Sequence, residues 1–338
     1  MIQIAYHSDL KEVHSRKALE ALLEHSEARA PFDRLWWWQG LAEHCGLAPV
    51  LAVASQGGEH ALLPLAGKGG HLMALGNWYS FRIRPLLDGS PALLEALAGD
   101  LARYAHRVTL SPMPDEDGSA SLVEDAFRKA GWLVRREACD VNHVLDLRGR
   151  DYAAYIAARP GRLRTTLKRK APKVTTVVHD RFDRDAWDDY EAIYGESWKP
   201  AEGSPAFLRA FAEAEGRAGR LRLGIARSAF DSHGPAIAAQ FWTVEGGTAW
   251  IHKLAHRESA ADLSPGSVLT AAMMRQVIDA DGVDLVDFGT GNDPYKRDWM
   301  EAVRPRYRLD MMRPFSARNW PVMGRGALQR LAAIAKRG

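Results

Sequence analysis

The chain has little sulfur to organise it: two cysteines, Cys45 and Cys139, in 338 residues. That pair forms neither a metal-ligand spacing nor a disulfide framework, which points to a reducing, cytoplasmic setting. No apolar run reaches the ~18 residues that span a bilayer. The start, Met1-Ile2-Gln3-Ile4-Ala5-Tyr6-His7-Ser8-Asp9, lacks the basic stretch and apolar run of a secretory signal. Charge of one sign is also scarce. A net charge of +3 is too small for a chain that binds nucleic acid through its overall field. Walker A, HExxH, CxxC and Gly-x-Ser-x-Gly patterns are all missing, and with them the sequence signals for P-loop, zincin, thiol-redox and serine-hydrolase chemistry. Gly289-Thr290-Gly291 lacks the third glycine of a dinucleotide fingerprint.

The bulk is that of a folded protein, with 46% hydrophobic and 26% charged residues. At roughly 100–200 residues per domain the length predicts two domains. Helices are expected over 10–27, from Pro31 to Ala42, over 90–104, over 122–129, and over 151–170 with a break at Pro160-Gly161. Val50–Ala54 and Ala61–Leu65 read as strands joined by a turn at Gln56-Gly57-Gly58-Glu59. Val108–Leu110 and the start at Trp132–Val134 read as further strands. Val174–Val178 is β-branched and reads as a strand. Helices over 187–194 and 207–215 precede three strand candidates, 220–227, 236–244 and 248–255. A helix from Pro265 to Ala280 and a strand over 283–288 follow. The two halves share an element order, which predicts a mixed α/β chain of two related units, 1–148 and 149–315, with a tail from 316 to 338.

Two segments carry chemistry. In Leu263-Ser264-Pro265-Gly266, Ser264 is placed as an N-cap and Pro265 as the first helical residue. The unpartnered amides of such a helix start suit an anionic phosphate, and the glycine lets it approach. The second segment, Asp287-Phe288-Gly289-Thr290-Gly291 followed by Tyr295-Lys296, ends a strand in a glycine-rich turn. Read residue by residue, both segments also fit an ordinary capped helix and an ordinary turn.

Together, the strand ending in Ala255, Leu263–Gly266 about a dozen residues on, and Asp287–Gly291 with Tyr295, Lys296 and Trp299 resemble the FemAB/CelD-like branch of the GNAT acyltransferase superfamily, with bacterial ceramide synthases among its types. Ala30-Pro31-Phe32 with Trp36-Trp37-Trp38, Leu75–Ser80 and Arg162–Arg169 extend the resemblance more diffusely. It implies two tandem GNAT-like folds, the second holding acyl-CoA as co-substrate, with no permanently bound cofactor and no metal. By resemblance, Ser264, Gly266, Ser267 and Val268 present amides to the donor's pyrophosphate, with Gly289 and Gly291 admitting the donor. Tyr295 then protonates the departing thiolate. His252 and Asp287 are the candidate bases, and Lys296 is the candidate for oxyanion or phosphate contact.

Two basic stretches complete the reading. Between Arg159 and Lys173 there are seven Arg or Lys residues and no acid. That run suits CoA phosphates, anionic headgroups or an RNA-bearing donor, or simply a solvated helix face; tRNA is the less favoured donor. The tail carries Arg318, Arg325, Arg330, Lys336 and Arg337 without an acid, and Leu328, Leu331 and Ile334 share one helical face. Residues 320–338 are therefore expected to touch an anionic membrane or to dock on the protein body. Trp36–Trp38 and Trp78-Tyr79 are expected either in the core or along an apolar acceptor groove. The expected activity is N-acyl transfer from acyl-CoA to a primary amine, leaning to a long-chain sphingoid-like base at the inner membrane face. The alternatives are an acetyl- or aminoacyltransferase acting on an envelope, polysaccharide or peptidoglycan-related amine, and a non-catalytic GNAT-like binding protein.

Overall fold

Alternating apolar residues around Gly57-Gly58 form the expected hairpin, β2 (Pro49–Gln56) paired antiparallel with β3 (Glu59–Ala66). Both glycines have positive φ, which the tight connection requires. The structure, a computed structural model, describes residues 1–11, 30–197, 199–231 and 233–324. Most of the helix expected over 10–27 lies outside the described residues. So does most of the expected tail helix.

The remaining strands are β1 (Gln3–His7), β4 (His71–Ala74), β5 (Leu86–Asp88), β6 (Arg107–Met113), β7 (Leu133–Asp146), β8 (Val174–His179), β9 (Leu221–Ser228), β10 (Ala238–Glu245), β11 (Thr248–His256), β12 (Leu285–Thr290) and β13 (Ala302–Met312). They make one mixed sheet in the order β1-β2-β3-β4-β6-β13-β7-β12-β11-β10-β9-β8, with β5 beside β3. The helices α1 (Leu35–Cys45), α2 (Ala92–Leu101), α3 (Ser119–Lys129), α4 (Tyr152–Ala157), α5 (Gly161–Lys170), α6 (Arg184–Gly195), α7 (Pro205–Arg217), α8 (Pro265–Arg275) and α9 (Lys296–Trp299) cover it. The break expected at Pro160-Gly161 separates α4 from α5, and Asp151 caps α4 by accepting from the Ala154 amide at 2.7 Å.

The middle of the sheet is an exchange. β7 and β13 pair antiparallel along their whole length, from Ala302 opposite Val144 to Met312 opposite Leu133. The far end of β13 pairs with β6, and the far end of β7 pairs with β12. Each half of the chain thus lends a strand to the other's part of the sheet. β13 is absent from the sequence-based expectation because Arg304, Pro305, Arg306 and Arg308 make it read as a polar loop. Folded, Leu309 and Met311 alternate into the core, while buried Arg306 meets Glu116 at 2.9 Å.

A dry aromatic core also joins the halves. Trp37 from α1 meets Phe207 and Phe211 of α7 edge-on, at centroid distances of 4.9 and 5.0 Å. Such pairs contribute about 0.5–1.5 kcal/mol each beyond their buried area. Gly40 is needed at this contact, since a Cβ there would lie 2.8 Å from the Phe207 ring. Beside it Arg34 reaches Glu215 at 2.8 Å and also pairs with Glu245.

Candidate active site

β11 and β12 run parallel, yet they pair only where Thr248, Ala249 and Trp250 face Leu285, Val286 and Asp287. Beyond that point each continues without the other, so the strands splay. The cause is local. Phe241 of β10 faces Lys253 and the next residue, Trp242, faces Ile251, which leaves His252 as the extra residue of a β-bulge. A bulge bends and twists its strand, and here it turns β11 away from β12. The edge of β11 that faces the gap has no strand partner there among the described residues.

A cavity of about 460 Å³ occupies the mouth of this gap. The C-terminal half contributes His252, Lys253, Gly289, Tyr295 and Lys296 to its lining, and the N-terminal half contributes Trp78, Tyr79 and Phe81. Four of the ten residues singled out in the sequence therefore meet in one place. Tyr295 stands directly before α9 and packs edge-on against Phe288 at 5.6 Å. Its phenol is held well above its ordinary pKa by burial and then by the charge of Asp293. Buried Lys296 donates to the carbonyls of Gly289 and Thr290, so it clamps the glycine-rich turn. Gly289 has φ +69°, and a Cβ there would lie 2.9 Å from the Phe81 ring. Both the backbone conformation and the space require glycine. Gly291 also has positive φ, at +93°.

His252 lies among Phe241, Phe81 and Phe211, with Nε2 2.8 Å from the Thr243 hydroxyl. Desolvation, and then the neighbouring Lys253 charge, push its pKa down to about 3. The ring is neutral at physiological pH. Asp287, the other candidate base, does not line the cavity. Its carboxylate is buried, accepting from the Asn142 amide at 2.7 Å and the Gly289 N–H at 2.8 Å, and burial raises its pKa.

The predicted phosphate residues sit apart from these, at the start of α8. Ser264 occupies the N-cap position with φ +50° and no side-chain cap, in place of the ordinary serine cap expected. The Val268 N–H already donates to the Ser264 carbonyl, so among the four only Gly266 and Ser267 offer free first-turn amides. Gln240 of β10 fixes this helix start by donating to the Gly266 carbonyl at 3.1 Å and the Thr270 hydroxyl at 2.7 Å.

A second cavity, of about 560 Å³, shares Tyr194, Lys199 and Leu208 with the first and is walled by Trp187, Tyr190 and Pro205. Glu202 lines it too. One oxygen of that carboxylate accepts from the Tyr79 hydroxyl at 2.6 Å and from Lys253 at 3.0 Å. The other oxygen and the Tyr190 hydroxyl are buried without a hydrogen-bond partner among the described residues. Lys253 lies over the rings of Trp78, Tyr79 and Tyr194 at 4.1–5.1 Å, and burial lowers its pKa. Lys199 is pushed down to about 8 by burial and then by Lys253.

Sequence reasoning passed over Lys253, Glu202, Lys199 and Asn142. Lys253 did leave a signal: a lysine inside the apolar strand Thr248–His256 must be either edge-exposed or specifically paired. Glu202 left none, because its loop is polar throughout. Of the aromatic blocks, Trp78 and Tyr79 line the cavity, whereas Trp37 and Trp38 are core. The basic run resolves in two ways. Arg159 is buried on the Trp299 carbonyl and Glu301, while Arg164, Lys168 and Arg169 are solvated. Lys170 donates to the carbonyl of Asp262, just ahead of α8.

No protein of curated function matches the chain in sequence. Residues 161–297 match the family described as acetyltransferase (GNAT) domain. Among solved structures, FemX aligns at 12% identity over 91% of this chain and 96% of its own, with a TM-score of 0.63. L-PGS from Bacillus licheniformis aligns at 15% identity over 90% of this chain and 93% of its own, with a TM-score of 0.59. A tandem GNAT protein from the clavulanic acid biosynthesis pathway aligns at 15% over 91% of this chain and 98% of its own, at 0.51. Such identities speak for the fold, and the family match speaks for the transferase half. Residues 161–297 thus match an acetyltransferase (GNAT) domain, set in a fold like that of FemX and the tandem GNAT protein.

Proposed function

We propose that this enzyme moves an acyl group from acyl-CoA to the primary amine of an amphiphilic, long-chain acceptor, without a covalent enzyme intermediate. The observation that carries the reading is the junction of two cavities at the splayed strands. One holds Tyr295 and the edge of β11 beyond its pairing with β12; the other is aromatic-walled and lined by Glu202, whose second carboxylate oxygen is buried without a hydrogen-bond partner among the described residues.

The donor's pantetheine fits against that edge as an added strand would, taking hydrogen bonds that β12 gives up. The free amides of Gly266 and Ser267, with the helix dipole behind them, suit its phosphates. Glu202 anchors the acceptor's ammonium in the second cavity while aromatic walls take its apolar chain. The ammonium first gives one proton to solvent, and the neutral amine then attacks the thioester carbon. The carbon–sulfur bond breaks and the thiolate leaves, taking a proton from Tyr295. The proton lost by the amine restores the phenol through neutral His252 or solvent. The products are an amide and free CoA thiol.

A second reading rests on the solvated Arg164, Lys168 and Arg169 beside the loop that leads into α8. An aminoacyl-tRNA donor, as FemAB relatives use, would bring phosphates there, with an envelope or peptidoglycan-related amine as acceptor.

Both readings meet in one experiment: thermal shift with acetyl-CoA, long-chain acyl-CoA, CoA and tRNA, followed by thiol release on adding a sphingoid base. Chain-length-dependent stabilisation with thiol release supports the lipid amine. Stabilisation by tRNA alone moves the assignment to the second reading. No response to any donor would leave a binding protein and sink both.

A further inference from the structure

A cavity of about 750 Å³ opens where the Gly69-Gly70 turn, the residues after α2 and the segment following β13 meet. It shares no residue with the transfer site. Arg103, His106, Arg313 and Arg318 line it, and among the described residues no carboxylate does. Arg103 leans on Asp100 at 3.2 Å, and Arg313 lies over the Trp132 ring at 5.6 Å. The field is positive enough to register on His106. Its pKa is held below the ordinary value by slight burial and then by Arg318 and Arg107.

The rim is as telling as the floor. Phe315 is 94% exposed and Tyr104 61%, two aromatic side chains that line the hollow and face solvent, and Trp320, 62% exposed, follows in the same segment. They are held there by the backbone. Buried Asn319 donates to the carbonyls of His106 at 2.8 Å and Arg313 at 2.9 Å, which staples the segment after β13 to the turn before β6. The chain then runs on through residues 325–338, which carry four more basic residues and no acid.

We propose that this face docks the enzyme on an anionic bilayer, with Arg313 and Arg318 taking lipid phosphates and Phe315 and Trp320 entering the headgroup layer. The chemistry selects the partner. A soluble phosphate has no use for exposed aromatic rings. Aromatic residues favour the membrane interface, and arginines near it gain from the negative surface potential. The inference holds whichever amine the transfer site accepts.

The test is co-sedimentation of the full chain with phosphatidylcholine vesicles, with and without 30% phosphatidylglycerol, alongside the variants R313A/R318A and F315S. Binding is expected only to anionic vesicles and weaker at high salt. The double arginine variant should partition roughly thirtyfold less, and Phe315→Ser should also bind less at unchanged melting temperature. Should the arginine variant melt early, R313K/R318K must keep vesicle binding. Wild-type partition by both R313A/R318A and F315S would overturn the proposal. Binding of inorganic phosphate without any binding to anionic vesicles would overturn it equally.

Discussion

The Tyr79 hydroxyl donates to Glu202 at 2.6 Å while its oxygen accepts the Ser204 N–H at 2.8 Å, so one phenol ties the N-terminal half to the loop that lines the second cavity. The same Glu202 oxygen meets Lys253, while the other is buried without a hydrogen-bond partner among the described residues. Glu202→Gln keeps the shape and removes the charge. The acceptor KM should rise about tenfold or more while the acyl-CoA KM stays within about twofold, because charge-assisted bonds contribute about twice what neutral ones do. Steady-state kinetics with each substrate varied in turn checks this. An unchanged acceptor KM takes Glu202 out of the acceptor site.

His252 gives the pH prediction. Its folded-state pKa of about 3 lies below the ordinary 6.5, so between those values the unfolded chain binds the extra proton. Stability must then fall as pH drops through that window, by up to about 1.4 kcal/mol per pH unit from this one group. Urea unfolding of wild type and His252→Gln at pH 7 and pH 5 should show a smaller acid loss in the variant. The same low pKa means that no limb of the rate profile above pH 5 belongs to His252. A limb near pH 6.5 that vanishes in His252→Gln would show that the ring is charged more easily than its aromatic surroundings allow.

Much of this was legible in the sequence, and what was not had a physical cause. Alternation exposed β2 and β3, and glycine-rich punctuation exposed the Asp287–Gly291 turn. β13 escaped because its arginines are satisfied by distant partners such as Glu116, 190 residues away in sequence. The site divides in the same manner. Tyr295, Lys296 and Gly289 are local to one motif and were visible together. Tyr79, Phe81 and Glu202 come from other segments and meet them only through the fold. The bulge at His252 depends on how β10 and β11 register, which one strand's pattern does not encode.

Gly289→Ala tests the turn. The new methyl would take up φ +69° and press on Phe81, and nothing shifts cheaply, since that ring packs at 4.9 Å against buried Phe32. A left-handed non-glycine residue costs on the order of 1–3 kcal/mol before the clash is counted. Chemical denaturation should show a loss of about 2–4 kcal/mol. Acyl-CoA binding should weaken as well, since the turn carries the Lys296 clamp. Gly99, which has open space and ordinary φ, is the control: Gly99→Ala should be neutral or slightly stabilising.

Tyr295→Phe separates chemistry from binding. The ring contact with Phe288 survives the change, and among the described residues no hydrogen bond from the phenol is lost, so folding and donor affinity should hold. What disappears is a proton donor that burial and Asp293 keep protonated across the working pH range. A thiolate leaving without that donor must take its proton from water. General acid catalysis by a positioned group is worth about 10²–10⁴ in rate. We expect kcat to fall by at least about tenfold, the lower figure allowing for water entering beside the shortened side chain, with the Kd for CoA unchanged. An activated thioester with a better leaving group should recover most of the lost rate, because it needs less help as it departs. If the variant turns over like wild type, or if the activated thioester suffers equally, Tyr295 is a packing residue and the acid lies elsewhere in the cavity.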